Sequence, residues 1–213
     1  MKRPSILLAD DHAVVIEGLR SMLDGPEFEV VGVAGDGRSL LEAAARLQPD
    51  VIITDITMPS LNGIEAARKI HEQSKKPKII FLTMHLELVY AMAAFAAGAS
   101  GYVLKSAAGE ELINAIRDAL NGRTYISKQI APSVQHAREV GAGKDRSAID
   151  GLTRRQREVL QLLAEGLQAK EIAAMLNMSS KTVEFHKYRI MDALGLHTIA
   201  DLIRYALRNG IVE

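Results

Sequence analysis

Five polar residues stand where short apolar runs stop. Asp10 and Asp11 follow Ile6-Leu7-Leu8-Ala9, and Asp55 follows Val51-Ile52-Ile53-Thr54. Thr83 closes Lys78-Ile79-Ile80-Phe81-Leu82, and Lys105 closes Gly101-Tyr102-Val103-Leu104. Three carboxylates brought into one crevice repel one another and call for a cation, and hard oxygen ligands suit Mg²⁺. A carboxylate beside Mg²⁺ is a competent nucleophile toward a phosphoryl group and yields an aspartyl-phosphate. A Thr hydroxyl and a Lys ammonium are suited to hold the phosphoryl oxygens. Singly, each residue has an ordinary reading: Asp10 or Asp11 as a helix cap, Lys105 as a solvated strand end, Asp55 as a turn residue. All five at strand ends point to a phosphoryl site.

The elements that must position these residues alternate. Short apolar runs at 5–9, 28–34, 51–54, 78–83 and 101–105 read as strands, the β-branched run at 51–54 as one buried on both faces. Segments of helical spacing lie between and after them, at 14–23, 39–47, 64–73, 87–97 and 108–120, punctuated by Gly25-Pro26, Gln48-Pro49-Asp50, Gly98 and Asn121-Gly122. Five such β-α units predict an α/β doubly wound, flavodoxin-like five-stranded parallel sheet in the order 2-1-3-4-5. That order sets the first and third strand ends side by side, where ligands of open α/β sheets gather.

Bulk composition narrows the classes. The 213 residues are 48% hydrophobic and 24% charged, enough for one large or two modest domains with real cores. Zero Cys excludes disulfides, thiol nucleophiles and thiolate metal sites. No apolar run approaches the length of a bilayer span, and the basic start Met1-Lys2-Arg3-Pro4 precedes too short an apolar run for a secretory signal. A cytoplasmic protein is expected. Residues 1–121 are net acidic and residues 151–213 net basic, which fits unlike partners for the two halves.

Residues 122–149 are more polar and Gly-rich and read as a linker, with weak helical spacing through Ile130, Val134 and Ala137 predicting one short helix. From residue 150 the spacing is helical throughout. Thr153 caps a first helix. A second, at 169–176, is joined by Asn177-Met178-Ser179-Ser180 to a third at 181–194, and a fourth runs over 198–209. Two short helices on a tight polar turn make a helix-turn-helix. The third helix presents Lys181, Thr182, Glu184, Phe185, Lys187, Tyr188 and Arg189 near its start, where base edges and phosphates are met. The plain alternative is a small helical bundle used for protein contacts.

The set Asp10-Asp11, Asp55 with Met58-Pro59, Thr83, and Tyr102 with Lys105 resembles the receiver domain of two-component response regulators, over residues 4–121. The resemblance implies Asp55 as phospho-acceptor. It implies Mg²⁺ ligation by Asp11 directly, by Asp10 in support, by Asp55, and by the backbone carbonyl of Thr57. Thr83 and Lys105 would bind the phosphoryl group, and Tyr102 would be the aromatic that turns inward as Thr83 moves. Thr57 and His85, two residues after Asp55 and Thr83, would overlook the phosphoryl group and tune its lifetime. The words Leu152-Thr-Arg-Arg-Gln-Arg-Glu-Val-Leu160, Lys170-Glu171-Ile172-Ala173, Ser180-Lys181-Thr182-Val183-Glu184-Phe185-His186 and Leu194-Gly195 resemble the LuxR-type DNA-binding domain, over residues 150–213. Gln156 stands where Glu is usual, and Ala193 where a basic residue is usual.

By that resemblance Lys181 and Thr182 meet phosphate, while Glu184, Phe185 and Tyr188 face the major groove. Glu184 would accept from a cytosine amine or pair with Lys187 or Lys181. The last helix resembles a dimerisation helix. The combined order resembles the NarL/FixJ class of response regulators. It implies a transcription regulator that takes phosphate from a sensor histidine kinase, unmasks its recognition helix, and binds double-stranded promoter DNA as a homodimer, with RNA polymerase as a further partner. No turnover beyond self-phosphorylation and self-dephosphorylation at Asp55 is expected. The enzymatic rival is a haloacid-dehalogenase-like phosphatase, which usually carries a second Asp two residues after its nucleophile; Thr57 stands there. The other rival is a protein-interaction module that no longer needs DNA, which the modest net charge allows.

Overall fold

The computed structural model describes residues 3–72, 77–139 and 151–212. The chain divides into two compact units, Met1–Ala142 and Gly143–Glu213. In the first, strands β1 (Ser5–Ala9), β2 (Glu29–Ala34), β3 (Val51–Thr54), β4 (Lys78–Thr83) and β5 (Gly101–Leu104) alternate with helices α1 (Ala13–Leu23), α2 (Gly37–Leu47), α3 (Gly63–His71) and α4 (Leu88–Ala96), and α5 (Ala108–Leu120) follows β5. A sixth strand, β6 (Tyr125–Ile126), and a helix, α6 (Ala131–Glu139), complete the unit. The sheet is parallel throughout in the order β2-β1-β3-β4-β5-β6.

The sheet thus has one strand more than the five expected. β6 lies in the stretch read as linker and pairs Tyr125 and Ile126 with Gly101 and Tyr102 of β5. Two residues carry no periodicity, so only the pairing itself reveals the strand. The short helix expected through Ile130, Val134 and Ala137 is present as α6, and all three residues are buried. Ile130 and Val134 join the core that also holds Tyr90, Ala94 and Tyr102. Residues 140–149 of the expected linker lie outside the described residues.

Alternation along each strand divides the core into two layers, because successive side chains point to opposite faces. Leu7, Ile52, Ile79 and Phe81 face α2, α3 and α4, against Leu40, Ala44, Ala66 and Ala91. Ile6, Leu8, Val51, Ile53, Ile80 and Val103 face α1 and α5, against Ile16, Leu19, Leu112 and Ile116. Small alanines on the helices let them lie close to a sheet lined by branched residues.

A buried polar pin fixes the last strands. Ser127 is fully buried, donates to the Glu111 carboxylate on α5, and accepts from the Leu104 N–H at 3.2 Å. Register then sets the strand ends: Ala9 pairs with Thr54, so Asp10 and Asp55 emerge side by side. The Asp55 N–H donates to the Ala9 carbonyl at 2.9 Å, and the Asp10 N–H to the Ala34 carbonyl at 3.1 Å. Past Asp55 the chain turns back tightly. The Gly63 N–H donates to Ile56 O at 2.7 Å, and a Cβ on Gly63 would sit 1.9 Å from the Asp55 carbonyl oxygen. Asn62 caps α3 by accepting from the Glu65 N–H.

The second unit is helical: α7 (Arg154–Ala164), α8 (Ala169–Leu176), α9 (Ser180–Leu194) and α10 (Ile199–Arg208). Thr153 and Gln156 form a reciprocal capping box on α7, so Gln156 does the work of the usual Glu. The α8–α9 turn passes through Asn177 at φ 52°, a left-handed position Asn tolerates, and Ser179 caps α9 by accepting from Thr182 N–H at 3.1 Å. Gly195 at φ 64° stops α9. Val159, Leu160, Ile172, Val183, Ile190 and Leu202 form the core. No helix among the described residues is long and apolar enough to cross a membrane.

Because backbone, not a flexible side chain, faces Gly63, Gly63→Ala is expected to destabilise the first unit by about 1–3 kcal/mol. A lowered urea midpoint with an unchanged slope measures it.

Candidate functional site

At the carboxyl ends of β1, β3, β4 and β5 the expected residues meet. Ligand atoms of Asp10, Asp11, His12 and Asp55 all lie within 4.8 Å of one another, an acidic cluster of a composition able to hold a metal ion. Asp10 and Asp55 are buried and Asp11 is exposed. Lys105 lies one residue past the end of β5, in a short 3₁₀ turn. Its Nζ sits 2.7 Å from Asp10 Oδ2 and 2.5 Å from Asp55 Oδ2. The other Asp55 oxygen accepts from the Ile56 N–H at 2.6 Å. Asp10 serves its own loop as well, accepting from the His12 N–H at 2.9 Å.

The electrostatics follow from burial. Desolvation pushes the Asp55 carboxyl above its ordinary value of 3.8, with the Lys105 hydrogen bond and charge opposing but not cancelling it. Burial works against the Lys105 ammonium, yet the hydrogen bonds and charges of Asp10 and Asp55 outweigh it and hold the amine above 10.5. His12 escaped the sequence reasoning. Its Nδ1 lies 3.0 Å from Asp11 and 3.2 Å from Asp10, and the Asp11 charge, then the Asp10 hydrogen bond, raise its pKa. The available signal was its place directly after the Asp pair.

A second constellation centres on His85, in the loop between β4 and α4. Its Nε2 is 2.9 Å from Thr57 Oγ1, and its ring lies 4.2 Å from the Tyr90 ring. Its carbonyl accepts from the Tyr102 hydroxyl at 2.9 Å, and its N–H donates to Thr83 Oγ1 at 3.4 Å. Tyr102 and Thr83 are wholly buried. Tyr102 already stands inward, and burial raises its phenol far enough to keep it a donor. Thr57, Thr83, His85 and Tyr102 therefore form one connected group beside the carboxylates.

On α9, Phe185 and Tyr188 are 60% and 64% exposed, large for aromatic side chains, and Lys181 and Arg189 are exposed too. Val183 is buried and His186 half-buried, as semi-core positions should be. Thr182 is half-buried, with Oγ1 2.8 Å from Ser179 Oγ at the helix cap. Glu184 pairs with Lys187, one of the two partners considered for it. On α10, Leu202 and Ala206 turn into the core while Ile199 and Leu207 remain exposed.

Residues 6–117 match the response regulator receiver domain family, and residues 150–206 match the luxR family of bacterial regulatory proteins. The fold and crevice thus define a receiver, and the helical unit a LuxR-type DNA-binding domain. The transcriptional regulatory protein MctR of Rhizobium johnstonii is 36% identical over 216 residues, spanning 100% of this chain and 98% of that one. The oxygen regulatory protein NreC of Staphylococcus carnosus is 38% identical over 214 residues, spanning 98% and 99%. A solved structure of RcsB from Salmonella enterica serovar Typhimurium, bound to promoter rprA in the presence of the phosphomimetic BeF3⁻, is 30% identical, covers 96% of this chain and 98% of its own, and superposes with a TM-score of 0.64. The chain belongs to the two-component response regulators of the NarL/FixJ class, a receiver followed by a LuxR-type helix-turn-helix, and is a transcription regulator.

The raised Asp55 pKa has a definite sign. A carboxyl whose folded pKa lies above its unfolded value loses stability as pH rises from 3.8 through the raised value. Without divalent ions, the stability of the wild type relative to Asp55→Asn is therefore expected to fall across that window and then level off. Paired thermal melts in EDTA read the difference, and Mg²⁺ is expected to shrink it.

Proposed function

We propose that this regulator is switched by phosphorylation of Asp55 by a sensor histidine kinase. The observation that carries the reading is the Lys105 ammonium held against both Asp10 and Asp55 at the crevice floor. An Asp55 oxygen attacks phosphorus. The new O–P bond forms as the N–P bond of the kinase phosphohistidine breaks, and the leaving imidazole takes a proton from water. The donor set fits Mg²⁺: Asp10, Asp11 and Asp55 bring hard carboxylate oxygens together, and by the family resemblance the backbone carbonyl of Thr57 would join them. When bound, the ion neutralises charge shared by these carboxylates and the phosphoryl oxygens. Lys105 turns part of its contact from Asp55 to a phosphoryl oxygen, and Thr83 donates to another.

The Thr83 hydroxyl then leaves the His85 N–H, while Tyr102 stays inward on the His85 carbonyl. The loop from Thr83 to Glu87 and the face of α4 settle into a new packing, a two-state element biased by a local charge. Residues 4–121 carry the phospho-receiver chemistry, 122–149 close its core with β6 and α6 before connecting onward, and 150–213 act as the DNA-binding domain. In the resting protein the recognition helix is masked, and phosphorylation shifts the population toward the form that is free to bind. The freed domain binds promoter DNA as a homodimer. The exposed Ile199 and Leu207 on α10 offer apolar surface for that dimer, and bound DNA presents the protein to RNA polymerase. Lys181, Thr182, Glu184, Phe185, Lys187, Tyr188 and Arg189 form the DNA-facing set. The setting of this work is the cytoplasm.

Asp55→Asn is the decisive variant. Wild type with a small phosphodonor and Mg²⁺ should gain a phosphate that hydroxylamine and alkali release, and bind a library-selected duplex more tightly, by roughly 5- to 150-fold. Asp55→Asn should do neither. A gain in DNA affinity by Asp55→Asn under the same treatment would sink the reading. The Thr57–His85 pair screens the crevice from water, so Thr57→Ala and His85→Ala are each expected to shorten the phosphate half-life several-fold, read by decay of the radiolabelled phosphoprotein.

A further inference from the structure

Lys187 sits on the DNA-facing helix, yet it is not directed outward. Its ammonium pairs with Glu184 Oε2 one turn earlier, and Nζ lies 5.0 Å from the centre of the Tyr188 ring. The Lys187 side chain is 22% exposed against 42% for its acidic partner. A bare carboxylate entering the major groove faces two rows of phosphate charge and is repelled. A carboxylate already neutralised by a neighbour is not, and its second oxygen, Oε1, still has lone pairs to offer.

We propose that Lys187 is a positioning residue for base readout. It cancels the Glu184 charge and steadies the Tyr188 ring, so that Glu184 Oε1 accepts from a cytosine N4 amine in the groove. The phosphates are left to Lys181 and Arg189, which are exposed. Beside Glu184, Phe185 projects 60% exposed and offers its ring to a thymine methyl. The half-site recognised by one α9 helix therefore contains a cytosine and a thymine at fixed positions. This inference rests on the DNA-binding role of α9 proposed above. In the free protein such a partly exposed pair contributes little to stability. Its value appears when DNA covers it, which lets substitutions here report on binding rather than on folding.

The test uses the full chain with phosphodonor and Mg²⁺ and a duplex selected by the wild type from a random library. Lys187→Met is expected to weaken binding about tenfold, because it uncovers the Glu184 charge. Glu184→Gln, which keeps Oε1 as an acceptor, should cost less than about threefold and retain the preference for cytosine, whereas Glu184→Ala, which removes the acceptor, should abolish that preference at one position. Lys187→Met in the Glu184→Gln background should then cost nothing further, and Lys187→Arg, which keeps the pairing, should bind like the wild type. Equal losses from Lys187→Met in both backgrounds, with a salt slope reduced by about one, would make Lys187 an ordinary phosphate contact and overturn the proposal. Retention of cytosine preference by Glu184→Ala would overturn it as well. If the wild type enriched no duplex at all, the DNA-binding role of α9 would fall, and this inference with it.

Discussion

One ammonium group holds the receiver crevice together. Asp10 and Asp55 are buried side by side at the ends of adjacent strands, and two such carboxylates without a counter-charge would cost several kcal/mol each. Lys105, reaching from beyond β5, lies within hydrogen-bonding distance of both. The strand register, the close turn at Gly63 and the backbone bonds that pin Asp10 and Asp55 all hold this triplet in shape. The compensation is incomplete. One positive charge faces two buried negative ones, with Asp11 at the rim adding a third. The crevice is stable enough to fold and still has a composition able to hold a metal ion.

His85 links that crevice to the rest of the unit. Its ring nitrogen meets Thr57, its carbonyl meets the Tyr102 hydroxyl, its N–H meets Thr83, and its ring lies against Tyr90 on α4. A single loop residue thus touches Thr57 two residues past Asp55, Thr83 at the end of β4, Tyr102 on β5 and Tyr90 on α4. Displacing any one of these contacts alters the others, because they share one peptide and one ring.

Much of this was readable from the sequence because the signals are local. An apolar run ending in a polar residue needs no tertiary knowledge, and the four strand ends that carry Asp10, Asp11, Asp55, Thr83 and Lys105 place themselves once the sheet is parallel. The helix-turn-helix was legible for the same reason: caps at Thr153 and Ser179 and stops at Gly166 and Gly195 lie within a few residues of what they control. What escaped depends on distant partners. β6 is two residues long and exists only through β5. Ser127 looks like any linker serine until Glu111 and Leu104 are found around it. The sequence made Lys105 a phosphate clamp but did not reveal it as the resident partner of both buried carboxylates. Glu184 had two basic neighbours at helical spacing, and only side-chain geometry chose Lys187.

The burial of Ile130 and Val134 against Tyr90, Ala94 and Tyr102 also bears on how such a protein could be recombined. A gene fusion cut at residue 121 would carry away the lid of an apolar layer that runs directly behind the inward tyrosine. The surviving sheet would present that layer to solvent, inviting self-association unrelated to any signal. The heritable cassette is therefore longer than its signature residues suggest. A crossover that preserves the switch must fall after α6, so that the helix travels with the sheet it covers and only what lies beyond is exchanged.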